Sequence, residues 1–338
     1  MRAGPSIDMQ DPLTFGLKAV RRVFRSVGAS GASRPRAQEY FGAGDEGWYN
    51  LSGQAVSDLI RDRLTSPAPC MVSRIGHTEL KTLLRRRLVE RGLLRNAWDY
   101  VNSREEAFGW DEAIRTEMRI FSGFFPCDDE SLVRFCDLYL RGIGQVDVLG
   151  SWLRGETQFV NHLERAQRVP LADLEPFFHR DPWTTALEGR KVLVVHPFEK
   201  SVRAQFEKRS VLFSDRRMLP DFELATVRAV QSIAGNEDGF ASWFEALDSM
   251  CGRIRDTEFD VALIGAGAYG LPLAAFVKSI GRKAVHLGGA LQLMFGIRGN
   301  RWDARPDYQP LFNEHWTRAL PEETPRGHQT VDSNTTYW

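Results

Sequence analysis

The sequence predicts an α/β fold, a doubly wound and mostly parallel sheet flanked by helices, and two observations carry this prediction. Apolar, β-branched runs typical of buried parallel strands occur at 191–196 (KVLVVH) and 260–264 (DVALI). A helical pattern follows each run closely, and strand–helix–strand units with short links form right-handed parallel crossovers. A layered α/β architecture is therefore expected.

The first half of the chain is predicted to be rich in helices. Patterns with a 3.6-residue period predict helices over 51–64, 79–91, 110–121 and 130–141. Short apolar runs predict strands over 70–75 and 146–149, and the proline-interrupted stretch 153–187 is predicted to be irregular.

The second half alternates more regularly and predicts a Rossmann-like unit. Beside the two runs above, the patterns predict helices over 201–206, 240–255, 271–280 and 290–297, and extended segments over 222–230 and 283–287. We divide the chain into a flexible basic tail, 1–45, and one domain, 46–338, with a helix-rich first half, 46–188, and a Rossmann-like second half, 189–338.

The composition excludes several classes of protein. Lys and Arg total 44, as do Asp and Glu, and proteins that bind nucleic-acid backbones generally carry a basic excess, so no nucleic-acid partner is expected. The four cysteines form no CxxC pair, which argues against a thiolate zinc site or a disulfide framework. Without a long apolar segment or the pattern of a signal peptide, a cytoplasmic protein is expected.

The tail contains one amphipathic pattern, at 13–27. Leu17, Val20, Phe24 and Val27 recur at helical spacing beside Lys18, Arg21, Arg22 and Arg25. Such a helix could make weak peripheral contact with an anionic inner-membrane surface, or it could be solvated or packed on another part of the protein. Both alternatives stay open at this point.

A glycine-rich turn lies directly between a predicted strand and a predicted helix. Gly265, Gly267 and Gly270 have the G-x-G-x-x-G spacing that lets a backbone turn tightly and approach a diphosphate at a helix N-terminus. Dinucleotide-binding folds also need an acidic residue about 20 residues further on, and 271–302 contains no Asp or Glu.

The same stretch carries only positive charges. Its five cations are Lys278, Arg282, Lys283, Arg298 and Arg301. A phosphorylated ligand therefore suits this region better than a nicotinamide dinucleotide does, although some of these cations could form the solvated face of a helix.

Two further strand ends carry groups that could contact a ligand. His196 follows one predicted strand, and His286, Gly288 and Gly289 follow another. Ligands of open α/β sheets bind beyond the carboxyl ends of the strands, so we expect these groups near the glycine turn. The alternative is that each histidine is a hydrogen-bonded structural residue.

The first half has one polar motif, SRIGHTEL at 73–80. Arg74, Gly76, His77 and Glu79 stand at a predicted strand-to-helix junction, where His77 and Glu79 could share a cation if the backbone turns there. Alternatively, Glu79 is an ordinary first-turn carboxylate that complements the helix dipole. A hard cation needs more oxygen ligands than this pair supplies, unless substrate phosphates complete its shell.

Several segments together resemble a known family. They are SRIGHTEL, VHPF at 195–198, the block 264–302 and the terminal Tyr337-Trp338. The chain over roughly 50–338 thereby resembles bacterial glycosyltransferases of the GT-D fold and their relatives in polysaccharide and glycoprotein assembly clusters. The block 264–302 is the most specific part.

The resemblance implies transfer of a sugar from a nucleotide sugar, such as UDP-glucose, to a saccharide or glycosylated carrier. The family's acidic D-x-E motif matches Glu79 at its last carboxylate, and its arginine matches Arg74. His77 occupies the place of the motif's aspartate. His77 could ligate Mn²⁺ or Mg²⁺ together with Glu79. Alternatively, the site could work without a metal and rely on the basic residues near Arg298 and Arg301.

The candidate residues thus fall into two sets. The catalytic candidates are Arg74, His77, Glu79 and His196, with Glu79 and His196 as alternative general bases. The binding candidates are Gly76, Gly265, Gly267, Gly270, His286, Gly288, Gly289, Arg298 and Arg301. Two other functions stay open: an NAD-dependent oxidoreductase or epimerase, and a catalytically inactive relative that binds a nucleotide sugar.

Overall fold

A seven-stranded parallel sheet organises the chain. The computed structural model describes residues 12–26, 47–102, 108–328 and 336–338. The strand order is β3-β2-β1-β7-β6-β4-β5, where the strands are β1 Cys70–Ser73, β2 Val148–Ser151, β3 Gln167–Pro170, β4 Lys191–His196, β5 Glu223–Arg228, β6 Val261–Ile264 and β7 Lys283–His286. A separate two-stranded parallel sheet contains β8 Ile297–Arg298 and β9 Thr317–Arg318.

Helices flank the main sheet. They are α1 Pro12–Ser26, α2 Gln54–Thr65, α3 His77–Glu90, α4 Leu93–Val101, α5 Glu112–Phe121, α6 Asp129–Ile143, α7 Glu199–Phe206, α8 Arg209–Leu212, α9 Trp243–Arg255, α10 Gly270–Ser279, α11 Leu291–Met294 and α12 Asn300–Asp303. Single 3₁₀ turns precede α10 and α11. Among the described residues no helix is both long and apolar enough to cross a membrane.

The predicted fold class is confirmed, because the sheet is parallel throughout and is covered on both faces. Alternate residues of β4 and β6 enter two different apolar clusters. Leu193 and Ile264 face the cluster that contains α6, α9 and α10, while Val194 and Leu263 face the cluster that contains α2 and α7. Burial on both faces explains why these strands are continuous apolar runs.

Both halves of the chain build this one sheet. β1, from the first half, pairs with β7, from the second, and Val72 lies opposite Val285. The carboxyl ends of β1, β7, β6 and β4 are therefore neighbours at one edge, although their residues are far apart in sequence.

Several predicted elements differ from the structure. The stretch 153–187, predicted to be irregular, contains the edge strand β3, whose sequence QRVP has no apolar run to reveal it. Strand β2 begins two residues later than predicted. The predicted helix 290–297 is only a 3₁₀ turn and the short α11, because Gly296 adopts a φ of 62° that ends the helix.

The predicted amphipathic helix in the tail is confirmed as α1. Its Arg21 is buried, with the guanidinium carbon 4.3 Å from the centroid of the Tyr100 ring on α4. One side of α1 thus packs on the domain, as in one of the two alternatives above. The other parts of the predicted tail, 1–11 and 27–45, lie outside the described residues.

Aromatic packing joins α9 to the loop that follows β6. Trp243 is fully buried and stacks on Tyr269, with ring centroids 4.6 Å apart and planes 7° from parallel. We expect Trp243→Ala to lower the free energy of unfolding by about 3–5 kcal/mol, because it leaves a large cavity. Urea denaturation followed by circular dichroism measures this loss.

Trp243→Phe is the matched control. The indole Nε1 of Trp243 is buried and has no hydrogen-bond partner among the described residues, so its removal breaks no such bond. The phenylalanine variant should therefore be clearly more stable than the alanine variant. Equal losses from both substitutions would contradict the stacking account.

Candidate functional site

A cavity of about 250 Å³ lies at the carboxyl edge of the sheet. The segments after β1, β7, β6 and β4 line it, together with the segment after β5 and the last two residues of the chain. Nearly all the residues that the sequence singled out lie in its wall. The ends of the four central strands and the segments after them contribute Arg74, Gly76, His77, Glu79, His196, Gly265, Gly267, His286, Gly288 and Gly289, and α12 contributes Arg301.

Glu79 supplies the carboxylate of this cavity. It is buried in the first turn of α3, and the hydroxyl of Ser122 donates to its Oε1 at 2.7 Å. Its other oxygen folds back against Gly76, where a Cβ atom would overlap it. Glycine at position 76 therefore allows the carboxylate to sit at the N-terminus of its own helix.

His77 does not converge with Glu79. Both residues belong to the first turn of α3, and positions two apart on a helix point to different sides. His77 is exposed, whereas Glu79 is buried. Partial burial of the ring and the Lys81 ammonium lower the pKa of His77, so it is neutral at pH 7.

The residues around Glu79 do not form a ligand set for Mn²⁺ or Mg²⁺. Among the described residues, no three His, Cys, Asp or Glu side chains are grouped so that they could hold a metal ion. One Glu79 oxygen already accepts from Ser122, and His77 and Glu79 by themselves supply too few ligands for a hard cation.

Each glycine of the turn after β6 has a different role. A Cβ atom at Gly265 would lie 2.6 Å from His196 Cδ2 and 2.8 Å from the Gly288 carbonyl oxygen, and one at Gly270 would overlap the His286 ring. Gly267 has a φ of 52° with open space beside it, and it lines the cavity. Only Gly267 thus leaves room for a ligand.

The two histidines are buried and neutral. Burial lowers the pKa of His196 to about 3, and burial with the nearby Arg74 charge lowers that of His286 to about 3. The Phe198 N–H donates to His196 Nδ1 at 3.0 Å, so the ring proton is on Nε2. His196 is therefore a poorer candidate for the general base than Glu79. Its Nδ1 already accepts a hydrogen bond and its Nε2 already carries a proton, so neither nitrogen is available to take up another proton.

Two guanidinium groups give the cavity its positive charge. Arg74 donates to the Ile75 carbonyl at 3.1 Å and lies over the Trp152 ring, 4.9 Å from its centroid. Arg301 donates to the Tyr337 hydroxyl at 2.9 Å. Within the described part of the chain, neither arginine forms an ion pair with a carboxylate.

The two arginines act on each other electrostatically. Burial lowers the pKa of Arg74, and the charge of Arg301 lowers it further, against the opposing effects of Tyr337, Glu79 and Glu156. Arg74 nevertheless stays protonated, as arginine does in proteins. The cavity wall thus carries two like charges whose repulsion a bound anion would relieve.

Tyr337 and Trp338 close one side of the cavity. The Tyr337 ring lies against Gly289, where a Cβ atom would overlap it, and the Gln292 amide donates to the Tyr337 carbonyl at 2.8 Å. The Arg301 backbone N–H donates to the Thr336 carbonyl at 3.1 Å. These contacts fasten residues 336–338 beside the loop after β7.

Two of the predicted binding residues lie outside the cavity wall. Gly270 stands behind it, against His286. Arg298 is on β8, where it pairs with Asp303 at 3.0 Å and covers the Phe312 ring at 4.7 Å. Lys278, on α10, does not line the cavity either: it is partly buried and pairs with Asp147 at 2.7 Å.

Sequence reasoning did not identify several residues of the wall. Those with side-chain groups of interest are Ser122, Tyr139, Trp152, Ser232, Tyr269 and Gln292. Trp152 directly follows β2 and Ser232 lies in the loop after β5, so the strand-end rule applied to every strand would have included them. Ser122 and Tyr139 come from helical segments and carry no local signal.

No protein-family model, curated protein or solved structure matches this chain in the comparisons made. The site is therefore interpreted from its own geometry and chemistry.

The protonation of the buried histidines is open to direct measurement. We expect the ring NMR signals of His196 and His286 to show no titration between pH 8 and pH 5, because both pKa values are about 3. Unfolded histidine titrates near pH 6.5, so these two groups stabilise the fold fully above about pH 6.5 and lose that effect as the pH falls towards about 3. His196→Gln and His286→Gln assign the signals, and a midpoint near 6.5 would contradict the burial.

Proposed function

We propose that the protein is a glycosyltransferase that moves a sugar from a nucleotide-sugar donor, a UDP-sugar, to a saccharide or a glycosylated carrier. Surface polysaccharide or glycoprotein assembly is the setting that the family resemblance suggests. The observation that carries the proposal is the pairing, in one cavity, of two arginines without carboxylate partners and a single buried carboxylic side chain, Glu79, among the described lining residues.

The arginines suit the leaving group. In sugar transfer, the bond between the anomeric carbon and the donor phosphate breaks, and the nucleoside diphosphate leaves with the electron pair. Arg74 and Arg301 offer guanidinium N–H groups to that developing charge, and Gly267 opens the wall next to the first residues of α10. The helix N-terminus itself favours an anion.

Glu79 suits the acceptor. The acceptor hydroxyl oxygen forms the new bond to the anomeric carbon, and its proton must go to a base. In an inverting reaction we assign this role to Glu79. The Ser122 hydroxyl holds its carboxylate in one orientation, while His196 and His286 supply only neutral surroundings.

A dinucleotide-dependent enzyme is supported by one observation, the glycine turn that joins β6 to α10. In such folds an acidic residue near the end of the next strand holds the ribose hydroxyl. Here β7 ends in His286, which is buried against Gly270 and hydrogen-bonded to Ser73 at 3.0 Å. We therefore prefer a glycosyltransferase that binds a nucleotide sugar to a dinucleotide-dependent enzyme.

Arg301 provides a test of donor binding. We expect Arg301→Gln to weaken UDP binding about 10- to 100-fold, since hydrogen bonds to charged groups contribute about 1.5–3 kcal/mol. Arg298→Gln is the matched control, because Arg298 pairs with Asp303 outside the cavity. Isothermal titration calorimetry with UDP measures both variants.

The same titration, repeated with NAD(H), distinguishes a nucleotide-sugar site from a dinucleotide site. Binding of NAD(H) without any binding of UDP would reject the sugar-transfer proposal in favour of the dinucleotide enzyme. If Arg298→Gln lost as much UDP affinity as Arg301→Gln, the loss would not come from a contact between Arg301 and UDP in the cavity.

Glu79 provides the test of chemistry. We expect Glu79→Gln to lower the rate of transfer about 10²- to 10⁴-fold, the usual contribution of a general base, with UDP affinity nearly unchanged. Glutamine keeps an oxygen that can accept from Ser122. Release of UDP from a panel of UDP-sugars, with saccharide acceptors, measures the rate.

Glu117→Gln is the matched control on the neighbouring helix α5. Glu117 pairs with Lys81 at 2.6 Å and does not line the cavity, so this variant should keep full activity. Full activity of the Glu79 variant would remove Glu79 from the mechanism. A wild-type protein that binds UDP-sugars and never transfers the sugar would favour the inactive relative.

A further inference from the structure

Helices α1 and α4 form a surface with exposed apolar side chains. Arg21 of α1 lies on Tyr100 of α4, which joins the two helices. Among the described side chains of the two helices, Val20 is 44 %, Val23 59 %, Leu94 86 % and Trp98 59 % exposed. We name these four side chains, with the exposed cations Lys18, Arg22 and Arg95, the α1–α4 surface.

The exposed side chains of α4 are grouped. Leu94 and Trp98 are four residues apart, so they lie on the same side of the helix, one turn from each other. Leu94 is the most exposed large apolar side chain in the described part of the chain. Scattered single apolar residues are ordinary on a surface, whereas neighbouring ones indicate an interaction.

Cations outnumber acids on these two helices, and α4 carries one acid, Asp99. α1 contains Lys18, Arg21, Arg22 and Arg25 and no Asp or Glu. Arg95 is exposed on α4, between Leu94 and Trp98 in sequence. The whole chain is neutral, so this is a local excess that selects a negatively charged partner.

We propose that the α1–α4 surface binds the anionic headgroup layer of a lipid bilayer, with Leu94 and Trp98 inserted among the acyl chains. A basic amphipathic helix binds such a layer through the sum of apolar burial and charge. Tryptophan is favoured there, because one end of its ring system is apolar and the other can remain wet.

A lipid surface fits this patch better than a protein does. A stable protein interface buries about 800 Å² on each partner, from about 20 to 30 residues. Among the side chains that the structure describes, the exposed apolar part of the α1–α4 surface consists of four. A bilayer needs only a few inserted side chains together with cations, which matches what the two helices offer. The inference does not depend on sugar transfer.

Vesicle flotation with the full chain tests the proposal. One vesicle preparation contains phosphatidylcholine alone, and the other contains phosphatidylcholine and phosphatidylglycerol in about equal amounts. We expect binding to the anionic vesicles, little binding to the neutral ones, and a loss of binding at high salt because surface charges are screened.

Two double variants separate the contribution of the cations to vesicle binding from that of the inserted apolar side chains. Lys18→Glu with Arg22→Glu should weaken binding to anionic vesicles by at least about fivefold for each cation removed. Leu94→Ser with Trp98→Ser should weaken it comparably by removing the inserted side chains. The matched control is Val160→Ser with Val211→Ser, two valines that are 42 % and 44 % exposed on other elements.

Circular dichroism confirms that each variant is folded before its binding is compared. Absence of binding to anionic vesicles, or an equal loss in the valine control, overturns the proposal. If instead sedimentation velocity shows a dimer that the Leu94 and Trp98 substitutions dissociate, and no vesicles are bound, a second copy covers this surface and the lipid assignment is wrong.

Discussion

Two partly buried guanidinium groups share one cavity wall with no ion-paired carboxylate among the described residues, and the site is arranged around that unbalanced charge. Neutral contacts compensate it in part: Arg74 has the Ile75 carbonyl and the Trp152 ring, and Arg301 has the Tyr337 hydroxyl. Such contacts hold a guanidinium in place without cancelling its charge. Binding an anion would lower the electrostatic free energy of the two arginines, and this is the physical basis of the proposed site for the nucleotide-sugar diphosphate.

Glycines make this arrangement possible in a way that the G-x-G-x-x-G pattern does not reveal. Five of them leave out a Cβ atom at the place where a side chain of the site sits. The pairs are Gly76 with Glu79, Gly265 with His196, Gly270 with His286, Gly288 with Arg74 and Gly289 with Tyr337. The glycines therefore seat protein side chains, and Gly267 alone has both a positive φ and open space towards the cavity. A Cβ atom at Gly76, Gly265, Gly270 or Gly289 would displace the paired side chain, and one at Gly288 would lie only 3.0 Å from Arg74 Nη1.

The local sequence pattern was enough to predict the positions of the strands that are buried on both faces. β4, β6 and β7 were predicted within one residue of their ends, since two-sided burial produces apolar runs. The edge strand β3 has one buried side chain, Val169, so its sequence lacks that signal. The strand-end rule placed Arg74, His196 and the glycine turns correctly at one edge. The contacts of Tyr337 with Gly289 and Arg301 join distant parts of the chain, and no local pattern encodes them.

Two of the helices that begin at the cavity, α3 and α10, are electrostatically different, and this difference orients the proposed substrates. The first turn of α3 already holds the Glu79 carboxylate against Gly76, so a second anion there would meet a like charge. The first turn of α10 contains no acidic residue, and the loop before it packs on the Gly288 carbonyl beside Arg74. A diphosphate is thus favoured on the α10 side, which leaves the α3 side, with Glu79 and Ser122, to the neutral acceptor hydroxyl.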